Sequence, residues 1–253
     1  MGKLIAIHSF RGGTGKSNIS GNLAALLACK GYRVGVIDTD IQSPGVHALF
    51  SFSSETVKNT LNDYLLKKCS IEEAAYDVTG SIQSADQPVS GCLYLIPSSM
   101  KTGEITRILQ DGYDVGRLNI GFQQLMQKLS LDYLLVDTHP GVNEETLLAA
   151  AISDALLLIL RPDRQDYQGT AIMLELAKQL EVPKIFLVIN KAVNQKDFAA
   201  MTQRVESSFG HPVLGVIPLS DEIAALGSTG LFCLRAPNHP MAHALEKVLK
   251  ELQ

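Results

Sequence analysis

The four cysteines of this 253-residue chain, Cys29, Cys69, Cys92 and Cys233, lie far apart, with no C-x-x-C pair among them. That absence disfavours a zinc or iron–sulfur site built within the chain and reads as reduced, mostly buried thiols of a cytosolic protein. A cluster bridged by one cysteine from each of two subunits is the route left open. Also missing is any apolar run near the roughly 20 residues needed to cross a bilayer. The opening MGKLIAIHSF reads as a strand and not a cleavable leader, so the expectation is a soluble, cytoplasmic chain. Positive charge is not in excess: 22 Lys and Arg face 26 Asp and Glu, a formal net charge of −4. This excludes a chain that binds nucleic acid over its whole surface and leaves a local basic face open. No internal repeat, low-complexity tract or interdomain linker is evident.

What is present is an ordinary globular composition, 46% hydrophobic and 19% charged, with ample material for a core. Short branched-aliphatic runs recur: KLIAIHS, RVGVID, LYLIP, DYLLVDT, ALLLILR, KIFLVIN and VLGVIP. They are apolar without alternation, as strands covered on both faces are. Segments of helical spacing separate most of them; after Ser17, Ile19, Leu23, Leu26 and Leu27 share one face and Gly31 stops the helix. The expected fold is therefore α/β, a doubly wound, mostly parallel sheet with helices on both faces, whose ligands bind beyond the carboxyl ends of the strands. Residues 1–253 read as one domain, with a variable insertion at about 47–90. There SETVKNTLNDYLLKKCSIEEAAYDV looks helical and TGSIQSADQPVSG looks like loop.

The first strand runs into SFRGGTGKS and then a helix, which is the context a phosphate-binding loop requires. The pattern G-x-x-x-x-G-K-[ST] would place a glycine at position 10, where the chain has Phe10. Backbone N–H groups from Gly12, Gly13, Thr14, Gly15, Lys16 and Ser17 can nevertheless converge on an anion, helped by the positive end of the following helix. Lys16 would reach the β- and γ-phosphates, and the Ser17 hydroxyl would ligate Mg²⁺. Two further strands end in acids at the same edge. Asp38 and Asp40 follow RVGVI, where carboxylates can hold a metal's water shell and orient a nucleophilic water; Asp137 follows DYLLV, where an aspartate could hold Mg²⁺. Of the six histidines, none in metal-ligand spacing, His139 alone lies within such a turn and is singled out for function.

RGGTGKS, DTDIQSPG and VDTHPG together resemble the deviant phosphate loop, switch I and switch II of the ParA/MinD family of positioning ATPases. LVINKA and VIPLSDEIAALGSTG resemble the family's base-binding segments. The resemblance implies ATP and Mg²⁺ as cofactors, with Asn18, Asn190 and Pro218 joining the loop in binding the nucleotide and Lys16, Asp40 and Arg11 acting in catalysis. The family's loop does not need the first glycine. Arg11 stands where most members carry a signature lysine that crosses to the partner's phosphates in an ATP-bound homodimer; a guanidinium keeps the charge but is longer and planar.

The family's outputs differ. The closing HPMAHALEKVLKELQ places Met241, Leu245, Val248, Leu249 and Leu252 on one stripe, opposite a polar side that mixes Glu246 and Glu251 with Lys247 and Lys250. Lacking a cationic excess, it reads as a helix packed on the sheet more than a membrane anchor. Basic residues Lys178, Lys184, Lys191, Lys196, Arg204 and Arg235 are scattered through the later chain. The resemblance implies a nucleoid-associated ATPase that binds DNA without sequence preference and distributes a cargo such as a plasmid, a chromosome region or a carboxysome, with hydrolysis stimulated by an adaptor protein. The alternative is a MinD-like membrane-associated regulator of division or flagellar placement. A metabolic ATP-dependent synthetase is a third reading, for which the chain leaves little room.

Overall fold

The computed structural model describes residues 2–52, 57–83, 89–193 and 197–252. Its strands are β1 (Lys3–His8), β2 (Arg33–Asp38), β3 (Tyr76–Asp77), β4 (Cys92–Ile96), β5 (Tyr133–Asp137), β6 (Ala155–Leu160), β7 (Ile185–Ala192) and β8 (Val213–Pro218). They form one eight-stranded sheet in the order β3-β4-β2-β5-β1-β6-β7-β8. Every pairing is parallel except that of β3 with β4. All seven apolar runs are strands, and β5, β6 and most of β1 and β2 are buried along their length. Successive residues feed opposite faces: Ile5 and Ile7 of β1 enter one core, Leu4 and Ala6 the other.

The first core lies beneath α1 (Lys16–Cys29) and α10 (Pro240–Leu252), and α10 packs along β8. Met241, Leu245, Val248, Leu249 and Leu252 are all buried there, as the apolar stripe required. The second core is covered by α4 (Gly116–Lys128), α5 (Glu144–Ala151), α6 (Arg164–Gln179) and α7 (Phe198–Phe209). Helices thus cover both faces of the sheet.

Between β2 and β4 the structure departs from the sequence reading. Among the described residues, α2 (Leu61–Leu65) stands in place of a long helix. Thr60 and Asp63 start it as a reciprocal cap, each side chain bonding the other's backbone N–H. Lys67, at φ 62°, turns the chain out of helical geometry after one turn and a half. The other described residues there include short 3₁₀ turns and β3, whose Tyr76 packs at a tilt against Phe52 and binds Asn59 through its hydroxyl. Three residues of the expected helix, 54–56, and part of the expected loop, 84–88, lie outside the described residues.

Because β1 lies between β5 and β6 while α1 carries the chain across to β2, the strand order reverses at β1. The loops after β1, β2, β5, β7 and β8 therefore open on the same sheet edge around that point, where α/β sheets bind ligands.

Candidate functional site

The loop after β1 curls tightly, with Gly13 at φ 76° and Gly15 at φ 92°. Both lie in the left-handed region that only glycine enters without strain. At Gly15 there is a second demand, since a Cβ would overlap the Asn190 amide. Gly15 caps α1 with no side-chain hydrogen bond, and the first turn of α1 carries no acid, so the positive end of this helix is left to an outside anion.

Asp137 is the centre of the phosphate end. Fully buried at the end of β5, it accepts from Lys16 Nζ at 2.9 Å and Ser20 Oγ at 2.7 Å on Oδ1, and from Ser17 Oγ at 2.7 Å on Oδ2. Lys16 and Ser17, read from the loop, and Asp137, read from a distant strand, are thus one cluster. Ser20 was missed, although its place one helical turn after Lys16 on α1 was the available signal. Asp38, paired in register with Asp137 on neighbouring strands, is also fully buried. Burial, then repulsion from Asp137, pushes its carboxyl up to about 7, against the pull of Lys16 and of backbone N–H groups. Two buried carboxylates thus share one lysine.

The expectation that Asp38 holds a metal's water shell meets a different arrangement. Its Oδ1 accepts from Asp40 N at 3.0 Å and its Oδ2 from Gly45 N at 2.9 Å and Val46 N at 3.1 Å. Asp38 here caps the loop after β2, with three backbone amides on its carboxylate and one acceptor position of Oδ1 remaining. Ser17 and Asp137 suit Mg²⁺ better. A hydroxyl and a carboxylate oxygen stand 2.7 Å apart, and this ion characteristically takes one or two protein oxygens and fills its octahedron with water and phosphate.

Asp40 is buried one step further along. Its Oδ1 accepts from Ser43 N at 3.0 Å and from His139 Nδ1 at 2.7 Å, which joins the loop after β2 to the turn after β5. Of the histidines, the one singled out by sequence is therefore the one in contact with a candidate catalytic carboxylate.

The base end is a cavity of about 220 Å³ between Gly15, Asn18, Ile19, Asn190, Pro218 and Ser228. Gly15, Asn18, Asn190 and Pro218, expected to bind nucleotide, converge here. Asn190 Nδ2 donates to Thr14 O and Asn18 Nδ2 to Ser228 Oγ, at 2.6 and 3.1 Å, tying the phosphate loop to β7 and to the turn after α8 (Asp221–Leu226). Lys191 was read as one of the scattered basic residues. Its ammonium donates to Gly13 O at 2.7 Å, making it part of the loop's wall. Thr14 Oγ1 is buried with no partner among the described residues, a polar group of the loop left for a ligand.

The Arg11 side chain turns away from its own loop and lies on α6. The guanidinium bonds Gln165 and lies 4.0 Å from Asp166, both in the first turn of α6. Phe10 packs its ring against α6 at Gly169, where a Cβ would overlap the ring.

The basic residues do not gather at this edge. Lys178, Lys184 and Arg204 are exposed, but Lys184 precedes β7 while Lys191 is near its end, so these two lie at opposite edges of the sheet. Lys196 lies outside the described residues. Among the described residues, no helix is long and apolar enough to cross a membrane, and no three His, Cys, Asp or Glu side chains are gathered for a metal.

Comparison with known proteins agrees with the geometry. Residues 5–232 match the model of the CobQ/CobB/MinD/ParA nucleotide binding domain. The chain is 26% identical over 249 residues to an uncharacterized ATP-binding protein of Methanocaldococcus jannaschii, covering 98% of this chain and 86% of that protein. It is 25% identical over 236 residues to the septum site-determining protein MinD of Bacillus subtilis, covering 91% and 81%. The septum site-determining protein MinD from Pyrococcus horikoshii, complexed with Mg-ADP, has the same fold, with a TM-score of 0.80, 21% identity and coverage of 100% and 96%.

Proposed function

The chain belongs to the CobQ/CobB/MinD/ParA nucleotide-binding domain family and is a P-loop ATPase of the ParA/MinD type; from that premise we propose that it is an ATP-driven dimer that positions an intracellular cargo. The observation that carries the proposal is the Asp137 cluster, in which the ammonium of Lys16 and the hydroxyl of Ser17 are held on one buried carboxylate beside a cavity of about 220 Å³. In this reading the whole chain is one ATPase domain. Lys16 moves from Asp137 to the β- and γ-phosphates, the loop amides from Gly12 to Ser17 cradle them, and Asn190, Asn18 and Pro218 enclose the base. Ser17 and Asp137 would hold Mg²⁺, which neutralises charge on the phosphates, while Asp38 keeps the loop after β2 in place. Asp40 orients the attacking water.

Arg11 swings from Gln165 to a partner subunit's nucleotide, so dimerisation and turnover depend on it while monomer affinity does not. ATP-dependent, sequence-independent DNA binding is the proposed surface, with an adaptor protein linking hydrolysis to the cargo. It is favoured over a membrane because the apolar stripe of α10 is spent on β8. Sedimentation with ATP and either DNA or anionic vesicles tests this. Retention on DNA that falls steeply with salt supports it, since such binding rests on displaced counterions; retention on vesicles alone replaces it with the membrane regulator.

A further inference from the structure

Asp40 has two carboxylate oxygens with unequal surroundings. Oδ1 is held twice, by the Ser43 N–H and by His139 Nδ1, and Oδ2 makes no hydrogen bond to a described residue. An ionised carboxylate only accepts, so the imidazole donates from Nδ1 and carries its proton there when neutral. Lys16 is engaged by Asp137, and Arg11 lies on α6. Among the described residues His139 is the only side chain whose ring or charge pairs with Asp40.

The backbone that carries His139 is anchored without Asp40: its carbonyl accepts from Thr146 Oγ1 at 3.1 Å, Pro140 follows it, and Gly141 N is bonded to Ser9 O at 3.3 Å. That ties the turn after β5 both to α5 and to the loop after β1. The Asp40 carboxylate, by contrast, has only the Ser43 amide besides the imidazole, and Ser43 belongs to the same short loop. Without the ring, the carboxylate can rotate about its side-chain bonds while its loop stays where Asp38 caps it.

We propose that His139 is a positioning residue for hydrolysis: it holds Oδ1 of Asp40 so that Oδ2 is presented, in one orientation, to the attacking water. The inference rests on the reading of Asp40 as the water-orienting residue. It adds a side-chain link between the turn after β5 and the Asp40 carboxylate, beside the bonds that Thr39 N and Oγ1 donate to Asp137 O at 2.9 and 3.0 Å. Misplacement of an orienting group by about 1 Å costs roughly 10²-fold in rate, so one neutral hydrogen bond is enough to matter.

The test compares steady-state ATP turnover and nucleotide affinity of Asp40→Ala, His139→Ala, His139→Asn and the double variant Asp40→Ala/His139→Ala. His139→Ala should lose roughly 10- to 100-fold in kcat, with KM and nucleotide affinity changed by less than about twofold, because ground-state binding does not use the contact. His139→Asn should recover most of the rate, since its amide nitrogen can donate from near the place of Nδ1. The double variant should be no slower than Asp40→Ala. A second readout needs no turnover: in the nucleotide-free protein, imidazole nitrogen–proton spectra should show His139 with its proton on Nδ1, and that signal should move in Asp40→Ala. Wild-type turnover by His139→Ala beside an inactive Asp40→Ala overturns the inference and leaves the reading of Asp40 standing, as does a His139 proton found on Nε2 alone. Normal hydrolysis by Asp40→Ala overturns that reading and the inference with it.

Discussion

The two ends of the nucleotide site are built on opposite plans. The phosphate end is closed on itself, with Lys16, Ser17 and Ser20 all satisfied by Asp137 and with Asp38 satisfied by three amides. The base end is an open cavity whose polar side chains, Asn18 and Asn190, brace its walls and leave the space between them free. On the proposed reading, a nucleotide displaces an ion pair at one end and fills a space at the other, so that its affinity rests on how well phosphate oxygens and Mg²⁺ replace contacts the protein already makes.

Substitution at the phosphate end should break this contrast most severely. Lys16→Ala should reduce nucleotide affinity below calorimetric detection. It should also lower the unfolding temperature of the nucleotide-free protein, because removing one partner of a buried ion pair costs about 3–5 kcal/mol and here strands two carboxylates. Loss of affinity with unchanged stability would mean that the lysine is not held on Asp137 in solution. Ser17→Ala should come next, raising the magnesium concentration needed for half-maximal turnover while nucleotide affinity in chelator changes little. A magnesium titration that superimposes on the wild type would remove Ser17 from the metal site.

At the base end, Asn190→Ala should weaken nucleotide binding by about tenfold, the worth of one or two modest hydrogen bonds and some preorganisation. An effect as large as that of Lys16→Ala would show that the cavity and not the cluster dominates.

The last expected effect is on stability alone. Burial, then the charge of Lys16, pushes the fully buried His8 down to about 3 from 6.5. Over that window the unfolded chain binds more protons than the folded one, so this residue removes stability as pH falls. Asp38, raised from 3.8 to about 7, does the reverse: the folded chain holds the extra proton, and stability falls as pH rises. The two nearly offset one another between about pH 4 and pH 6.5. Denaturant titration of His8→Gln should expose the Asp38 slope, with stability declining toward neutral pH by at most about 1.4 kcal/mol per unit. A flat profile in that variant would mean that Asp38 is ionised throughout.

Much of this was legible in the sequence, for reasons that differ by region. The seven apolar runs announced their strands because residues covered on both faces leave no other pattern. Lys16 and Ser17 were readable because a phosphate loop is local, its parts lying within one turn of chain. The region from 57 to 78 was misread because its helical-looking composition is decided by one cap at Thr60 and one left-handed residue at Lys67, neither of which periodicity reports. The strand order, the sharing of Asp137 among three side chains and the bond from His139 to Asp40 are contacts between distant segments. Sequence could nominate Asp137, Asp40 and His139 separately but could not pair them. The contact of Lys191 with the loop was hidden for the same reason, since only the end of β7 brings it to Gly13.

The ring of Phe10 lying on bare backbone at Gly169 has a consequence for inheritance. The two positions share one parcel of volume, allotted to residue 10 and withheld from residue 169. Neither can be enlarged or reduced on its own account: a side chain at 169 needs a smaller residue at 10, and a glycine at 10 leaves a hollow that only 169 is placed to reclaim. Related chains should therefore vary at these two sites together, large with small. The glycine that the loop lacks is, in space, present in the wall against which the loop leans.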